Sequence, residues 1–143
     1  MSTKDLKAFE RRFFKEWNKG KAATMKVIDE TCASNVVWHS GNGPDIRGLK
    51  DYKKSMGDFF DAFPDNHLTI EDVIAEGDKA TVRYTITGTH KGEYMGVPAT
   101  NKKITLMAIE IDHIVGGKYV ESWITYDTFS MMQQLGIIPE PEK

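Results

Sequence analysis

The sequence predicts an α+β fold, with helices first and antiparallel strands after them. Three observations carry this. Up to Pro64, apolar residues recur mostly at helical spacing; beyond it, apolar and polar residues alternate in pairs. Two tight-turn dipeptides, Gly77-Asp78 and Gly116-Gly117, cut the second part into runs of strand length. The helical and strand segments are segregated along the chain rather than interleaved, as in α+β folds.

The first helix is marked by Leu6, Phe9, Phe13 and Trp17, with charges between them, Thr3 as N-cap and Gly20 as stop. A second helix is expected over Ala22 to about Thr31, with Met25 and Ile28 inward. The β-branched and aromatic piece NVVWHS reads as a short strand, and GNGP at 41–44 as a loop. A third helix is expected from about Leu49 to Phe63, with Tyr52, Met56, Phe59 and Phe60 on its apolar side and Pro64 ending it. Four strands follow: Leu68 to Glu76, Lys79 to His90, Lys102 to Val115 and Lys118 to Asp127. The middle connection, KGEYMGVPATN, is longer, with two glycines and a proline. This meander must curl over the helices to bury one of its faces. The run after Asp127 reads as one or two helical turns closed by Gly136.

At 143 residues the chain is expected to form one domain, 1–143, with a core that needs no covalent staple. Apolar residues make up 40% and charged residues 28%, ordinary for a soluble globular protein. The formal charge of −2 shows no basic excess, so nucleic acid is not an expected partner. Cys32 is the only cysteine: it cannot form an internal disulfide, and no CxxC or HExxH spacing suggests a metal site. It reads as a buried structural thiol. No signal-peptide pattern or membrane-spanning run is visible, so no membrane partner is expected, and the cytoplasm is the expected location.

Turn geometry predicts register. A two-residue Gly116-Gly117 loop pairs Val115 with Lys118 and places Asp127 opposite Leu106. One face then holds Leu106, Ala108, Glu110, Asp112, Glu121, Trp123, Thr125 and Asp127. The other holds Met107, Ile109, Ile111, His113, Val120, Ser122, Ile124 and Tyr126. Either the greasier second face covers the core, or the mixed face lines a pocket and the greasy face meets a second subunit. The Gly77-Asp78 turn places Arg83 opposite Asp72, as a cross-strand ion pair or a substrate contact.

Asp127 is the leading chemical candidate. In an apolar pocket its charged form is disfavoured, which makes it a usable acid or base; the competing reading is a helix N-cap. Glu121 lies about 20 Å away along a strand, too far for a shared dyad. Trp123 is placed on the face of Asp127 as a pocket wall. His39 and His90 end strands and are candidates for a pocket rim. His67 and His113 read as surface or packing residues.

The segments FPD (63–65), GTHKGEYMGVP (88–98), GKYVESWITYD (117–127) and QQLG (133–136) resemble, in order and spacing, the SnoaL-like polyketide cyclase (ester cyclase) family. The resemblance covers the chain well after about Asn35, and the N-terminal helices fit in length and pattern. It implies a nuclear-transport-factor-2-like cone: a curled antiparallel sheet wrapped on three N-terminal helices, with a central pocket. It also implies a homodimer through the outer sheet face and no cofactor or metal. The aspartate of its E-x-W-x-x-x-D motif maps onto Asp127 as acid/base for an intramolecular aldol ring closure of a polyketide-like carbonyl compound. His39 and His90 then hold or protonate a carbonyl oxygen, while Trp123, Arg83, Trp17, Met56 and Phe60 contact substrate. The chain departs from the family at VPATNKK, where a Pro-Thr-Gly turn is lost, which bears on substrate identity. The alternative function is a non-catalytic module that binds an apolar metabolite or supports dimeric assembly.

Overall fold

Four helices and six strands follow one another in the computed structural model, which describes residues 1–139. The chain runs α1 (Thr3–Trp17), α2 (Lys21–Thr31), β1 (Cys32–Ser40), β2 (Ile46–Arg47), α3 (Leu49–Ala62), β3 (His67–Glu76), β4 (Lys79–Thr89), β5 (Lys103–Val115), β6 (Lys118–Tyr126) and α4 (Thr128–Gln134). The predicted α+β class holds.

The cap of α1 is Ser2 rather than Thr3. Its hydroxyl accepts the Asp5 N–H while the Asp5 carboxylate accepts the Ser2 N–H, a reciprocal box that satisfies two otherwise orphaned donors. On α2 the buried face is Thr24, Val27, Ile28 and Thr31, so Ile28 is inward as expected and Met25 sits at the edge. Cys32 is buried at the start of β1, and desolvation pushes its thiol up to about 12, which suits a packing role.

The six strands form one mixed sheet in the order β2-β1-β6-β5-β4-β3. The expected four-strand meander is its β3–β6 part. The difference is β1, which begins three residues earlier than NVVWHS and lies parallel beside β6, while β2 pairs antiparallel on its far side. The inner face of the sheet packs against α1 and α3. Phe14 meets Tyr84 edge-on with centroids 4.9 Å apart, and Trp17 lies 4.8 Å from Phe60. Fully burying side chains of this size contributes roughly 1.5–3 kcal/mol each.

The β3–β4 register is as predicted near its turn: Glu76 faces Lys79, and Asp72 faces Arg83. Arg83 Nε donates to Asp72 Oδ2 at 2.6 Å on the outer face. With both side chains partly exposed, the pair contributes at most about 1 kcal/mol.

The β5–β6 register corrects the prediction. Gly116 and Gly117 have φ of 58° and 74°, the left-handed pair a two-residue hairpin of this hand requires. Val115 faces Lys118 and Ile114 faces Tyr119, but His113 then faces Glu121. Val120 is left as an extra residue, a β-bulge, and every later residue of β6 changes face. Ser122, Ile124 and Tyr126 therefore join Ala108, Glu110 and Asp112 on the inner face, and Glu121, Trp123 and Thr125 turn outward with Ile109 and Ile111. Asp127 bonds through its N–H to the Met107 carbonyl, not across from Leu106. Burial explains the swap: Ser122 Oγ donates to Asp112 Oδ1 at 2.5 Å, pairing a carboxyl that has no solvent access.

Candidate functional site

Between the inner face of the sheet and α1 and α3 lies a cavity of about 680 Å³. Its walls are mainly aromatic and aliphatic, including Trp17 from α1, Trp38 from β1, Met56 and Phe59 from α3, and Leu106 and Ile124 from the sheet. Its exposed rim includes Gly43, Pro44, Asp58, Asp61, Glu93 and Met95. The loop carrying Glu93–Met95 is drawn onto α3 by two N–H bonds, from Lys91 and Gly92 to the Ala62 carbonyl at 2.8 and 3.1 Å. Only glycine fits at 92, because a Cβ there would sit 2.5 Å from the Asp61 carbonyl oxygen. The Tyr94 and Tyr126 hydroxyls lie 3.4 Å apart, and both residues line the cavity.

The charged residues lining the cavity are all acidic: Asp58, Asp61 and Glu93 at the rim and Glu110 on the sheet wall. Lys54 and Lys21 neutralise Asp58 and Asp61 from outside, at 2.9 and 2.7 Å. Among the described residues, Glu110 has no such partner. Tyr84 and Trp38 lie beside its carboxyl, as does Asp112. Burial pushes the Glu110 carboxyl well above the usual range, and the neighbouring Asp112 charge pushes it further. Behind Asp112 lies Glu10 of α1, fully buried and raised by the same two causes, with the Tyr119 hydroxyl donating to its Oε2 at 3.2 Å.

The residues singled out in the sequence are distributed over four regions. Trp17 and Met56 line the cavity, and Phe60 is buried directly behind Trp17. Trp123, expected as a pocket wall, faces outward because of the bulge; it stacks on His39 at 5.5 Å, with the Lys79 ammonium 5.7 Å from its ring. Arg83 is also on the outer face. His39 is held there between Glu121 at 2.5 Å and Asp45 at 2.9 Å, and these two hydrogen-bonded carboxylates raise its pKa. His90 is fully buried but does not line the cavity: its ring packs on Phe63 at 5.3 Å, and its Nδ1 accepts the Thr100 N–H at 3.2 Å, pinning both ends of the 91–101 loop. Asp127 is exposed and caps α4, accepting the Ser130 N–H at 2.9 Å. Asp127, His39 and His90 are thus not brought together, and none of the three lines the cavity.

Glu110 is the residue that sequence reasoning passed over. It was on the face expected to line a pocket but was given no role. Its signal was present: Glu110 and Asp112, two apart on one strand face, interrupt the apolar run MAIEIDHIV. Among the described residues, no group of three His, Cys, Asp or Glu side chains is arranged to hold a metal ion, and no helix is long and apolar enough to cross a membrane.

The sequence model of the SnoaL-like polyketide cyclase family matches residues 8–135. Among solved structures, AclR from Streptomyces galilaeus, for which a hydroxylase role has been suggested, is 29% identical over 96% of this chain and 100% of its own, with a TM-score of 0.84. A protein from Bacillus cereus, suggested to be a polyketide cyclase, is 32% identical over 91% of this chain and 79% of its own, with a TM-score of 0.71. A SnoaL-like polyketide cyclase from Agrobacterium tumefaciens is 20% identical over 95% of this chain and 100% of its own; its TM-score of 0.77 is a likeness of fold. No curated protein matches the sequence.

Proposed function

We propose, from the premise that the chain belongs to the SnoaL-like polyketide cyclase family, that its cavity takes a small, uncharged carbonyl compound and that Glu110 exchanges a proton with it. The observation that carries this is one carboxyl, raised by burial, facing an aromatic cavity whose lining, among the described residues, has no cationic side chain. Such a lining offers no counter-charge to a carboxylate or phosphate ligand and suits a neutral one. A raised carboxyl is a better base when ionised and a usable acid when not.

The reaction that fits is an intramolecular aldol closure. The Glu110 carboxylate takes the proton from a carbon between two carbonyls, leaving an enolate. The enolate carbon bonds to a second carbonyl carbon of the same molecule, and the resulting alkoxide takes the proton back from Glu110. The Tyr94 and Tyr126 hydroxyls supply donors for carbonyl oxygen. Tyr126 pairs with Ala108, two residues from Glu110 on the same face, about 7 Å along the sheet and within the span of a dicarbonyl unit. Because a C–H between two carbonyls is already acidic, positioning and one tuned carboxyl suffice without a cofactor.

A 1,3-diketone probe in deuterated buffer tests this. The chain is expected to speed deuterium incorporation at the central carbon well above buffer alone. Quenching of cavity tryptophan fluorescence with no exchange would instead favour the binding-module reading.

The outer face carries Met107, Ile109, Ile111 and Trp123, exposed at 52%, 40%, 41% and 37%. We infer a homodimer through this row, since contiguous apolar surface on a sheet face marks an interaction site. Light scattering at micromolar concentration is expected to give twice the chain mass; a monomer mass would refute it.

A further inference from the structure

Glu110 is the cavity end of a chain of three carboxyls, and the other two never reach the cavity. We propose that Asp112 and Glu10 are positioning residues for Glu110: the three share two protons and one negative charge, and that charge moves between Asp112 and Glu110 as a proton passes the other way. Its use in catalysis rests on the function proposed above; the proton count itself does not.

Glu10 and Asp112 are both 0% exposed, and Glu10 Oε1 and Asp112 Oδ2 have no hydrogen-bond partner. The other oxygen of each is satisfied, by Tyr119 and by Ser122. Two adjacent carboxylates would leave both orphans facing an acceptor, and like charges that close cannot both ionise in a buried site. One proton on Glu10 satisfies both atoms at once. Glu110 lies two residues from Asp112 on the same face of β5, so a proton shared between those two satisfies that pair in the same way. Asp112 is then a carboxylate receiving three donors, from Glu10, Ser122 and Glu110. Burial raises all three groups, but these hydrogen bonds draw Asp112 back down, which marks it as the resting seat of the charge.

The groups facing the cluster from neighbouring elements are Cys32 of β1, Tyr52 of α3, Tyr84 of β4 and Tyr119 of β6, all pushed up and neutral near pH 7. Among the described residues no Lys, Arg or His side chain bonds to any of the three carboxyls. The cluster therefore has no counter-charge and must limit its own charge. When the Glu110 proton passes to Asp112, Glu110 becomes the base and the net charge stays at one; the reverse transfer restores it.

Carboxyl carbon NMR of the full, Glu- and Asp-labelled chain from about pH 5 to about pH 9 reads the count directly. At about pH 7 two of the three carboxyls are expected to be protonated. In Asp112→Asn, the charge opposing ionisation of Glu110 is gone, and its midpoint is expected to fall by about one unit, tenfold in the proton equilibrium. In Glu10→Gln the amide still donates to Asp112 and no charge is lost, so the Glu110 midpoint is expected to stay put. Two or three ionised carboxyls in the intact chain at about pH 7 would overturn the proposal. So would an unmoved Glu110 midpoint in folded Asp112→Asn, or a fall in Glu10→Gln, which would mean Glu10 had carried charge. Should Asp112→Asn not fold, the intact count and Glu10→Gln decide. The expected count with no carbonyl probe bound would leave the three-carboxyl cluster standing and end the functional reading.

Discussion

Glu110 and Asp127 are both carboxylates beside the same β5–β6 hairpin, yet they meet opposite environments. Glu110 lies on the inner face, against Tyr84, Trp38 and Asp112, with the cavity before it. Asp127 lies at the strand end, exposed, with a backbone N–H as its partner. Burial and a neighbouring negative charge push the first carboxyl up, while the second caps the N-terminus of α4. Side-chain type does not separate them; the one-residue bulge at Val120 and the end of the sheet do.

The inner region should dominate the pH dependence of stability. Glu10 and Glu110 have folded-state pKa values raised above their unfolded values. The native state thus holds protons that the unfolded chain releases above about pH 4.3. Their stabilising effect is full below that pH and is lost as pH rises toward the folded values, by up to about 1.4 kcal/mol per pH unit for each proton. His39, also raised, adds loss of the same sign as pH climbs through its folded value. Thermal melts are therefore expected to fall in midpoint from about pH 5 to about pH 8, and Glu10→Gln should flatten the slope by about one proton. A flat or rising profile in the intact chain would contradict the protonated cluster. The outer end should respond far less. Asp127→Ala is expected to cost about 1 kcal/mol of unfolding free energy in urea, and Asp127→Asn only a few tenths, since Asn caps as well as Asp. A larger loss in Asp127→Asn would show that its charge does more than cap α4.

Much of the fold was legible because it is written locally. Helical spacing, Pro64 and the Gly-containing turns place α1, α3 and β3–β6, and the Gly77-Asp78 turn sets Arg83 against Asp72. The parallel seat of β1 beside β6 was not legible, because nothing in NVVWHS names a partner more than eighty residues away. Nor was the bulge: no glycine or proline marks Val120, and the β-branched and aromatic residues of VESWITY suit either face. That single residue sent Trp123 outward and brought Ser122, Ile124 and Tyr126 in. Glu110 and Asp112 fell on the face expected to line a pocket, but nothing local shows that a third carboxyl joins them; Glu10, Tyr119 and Ser122, which accompany them, come from α1 and β6.

The most direct measurement compares Glu110→Gln and Asp127→Asn for deuterium exchange into a 1,3-diketone probe, with tryptophan fluorescence confirming that both bind it. Loss of about 100-fold or more in Glu110→Gln, the usual range for removing a general acid or base, is expected, with Asp127→Asn within about twofold of the intact chain. Full exchange in Glu110→Gln together with its loss in Asp127→Asn would contradict the account and return the chemistry to the strand end.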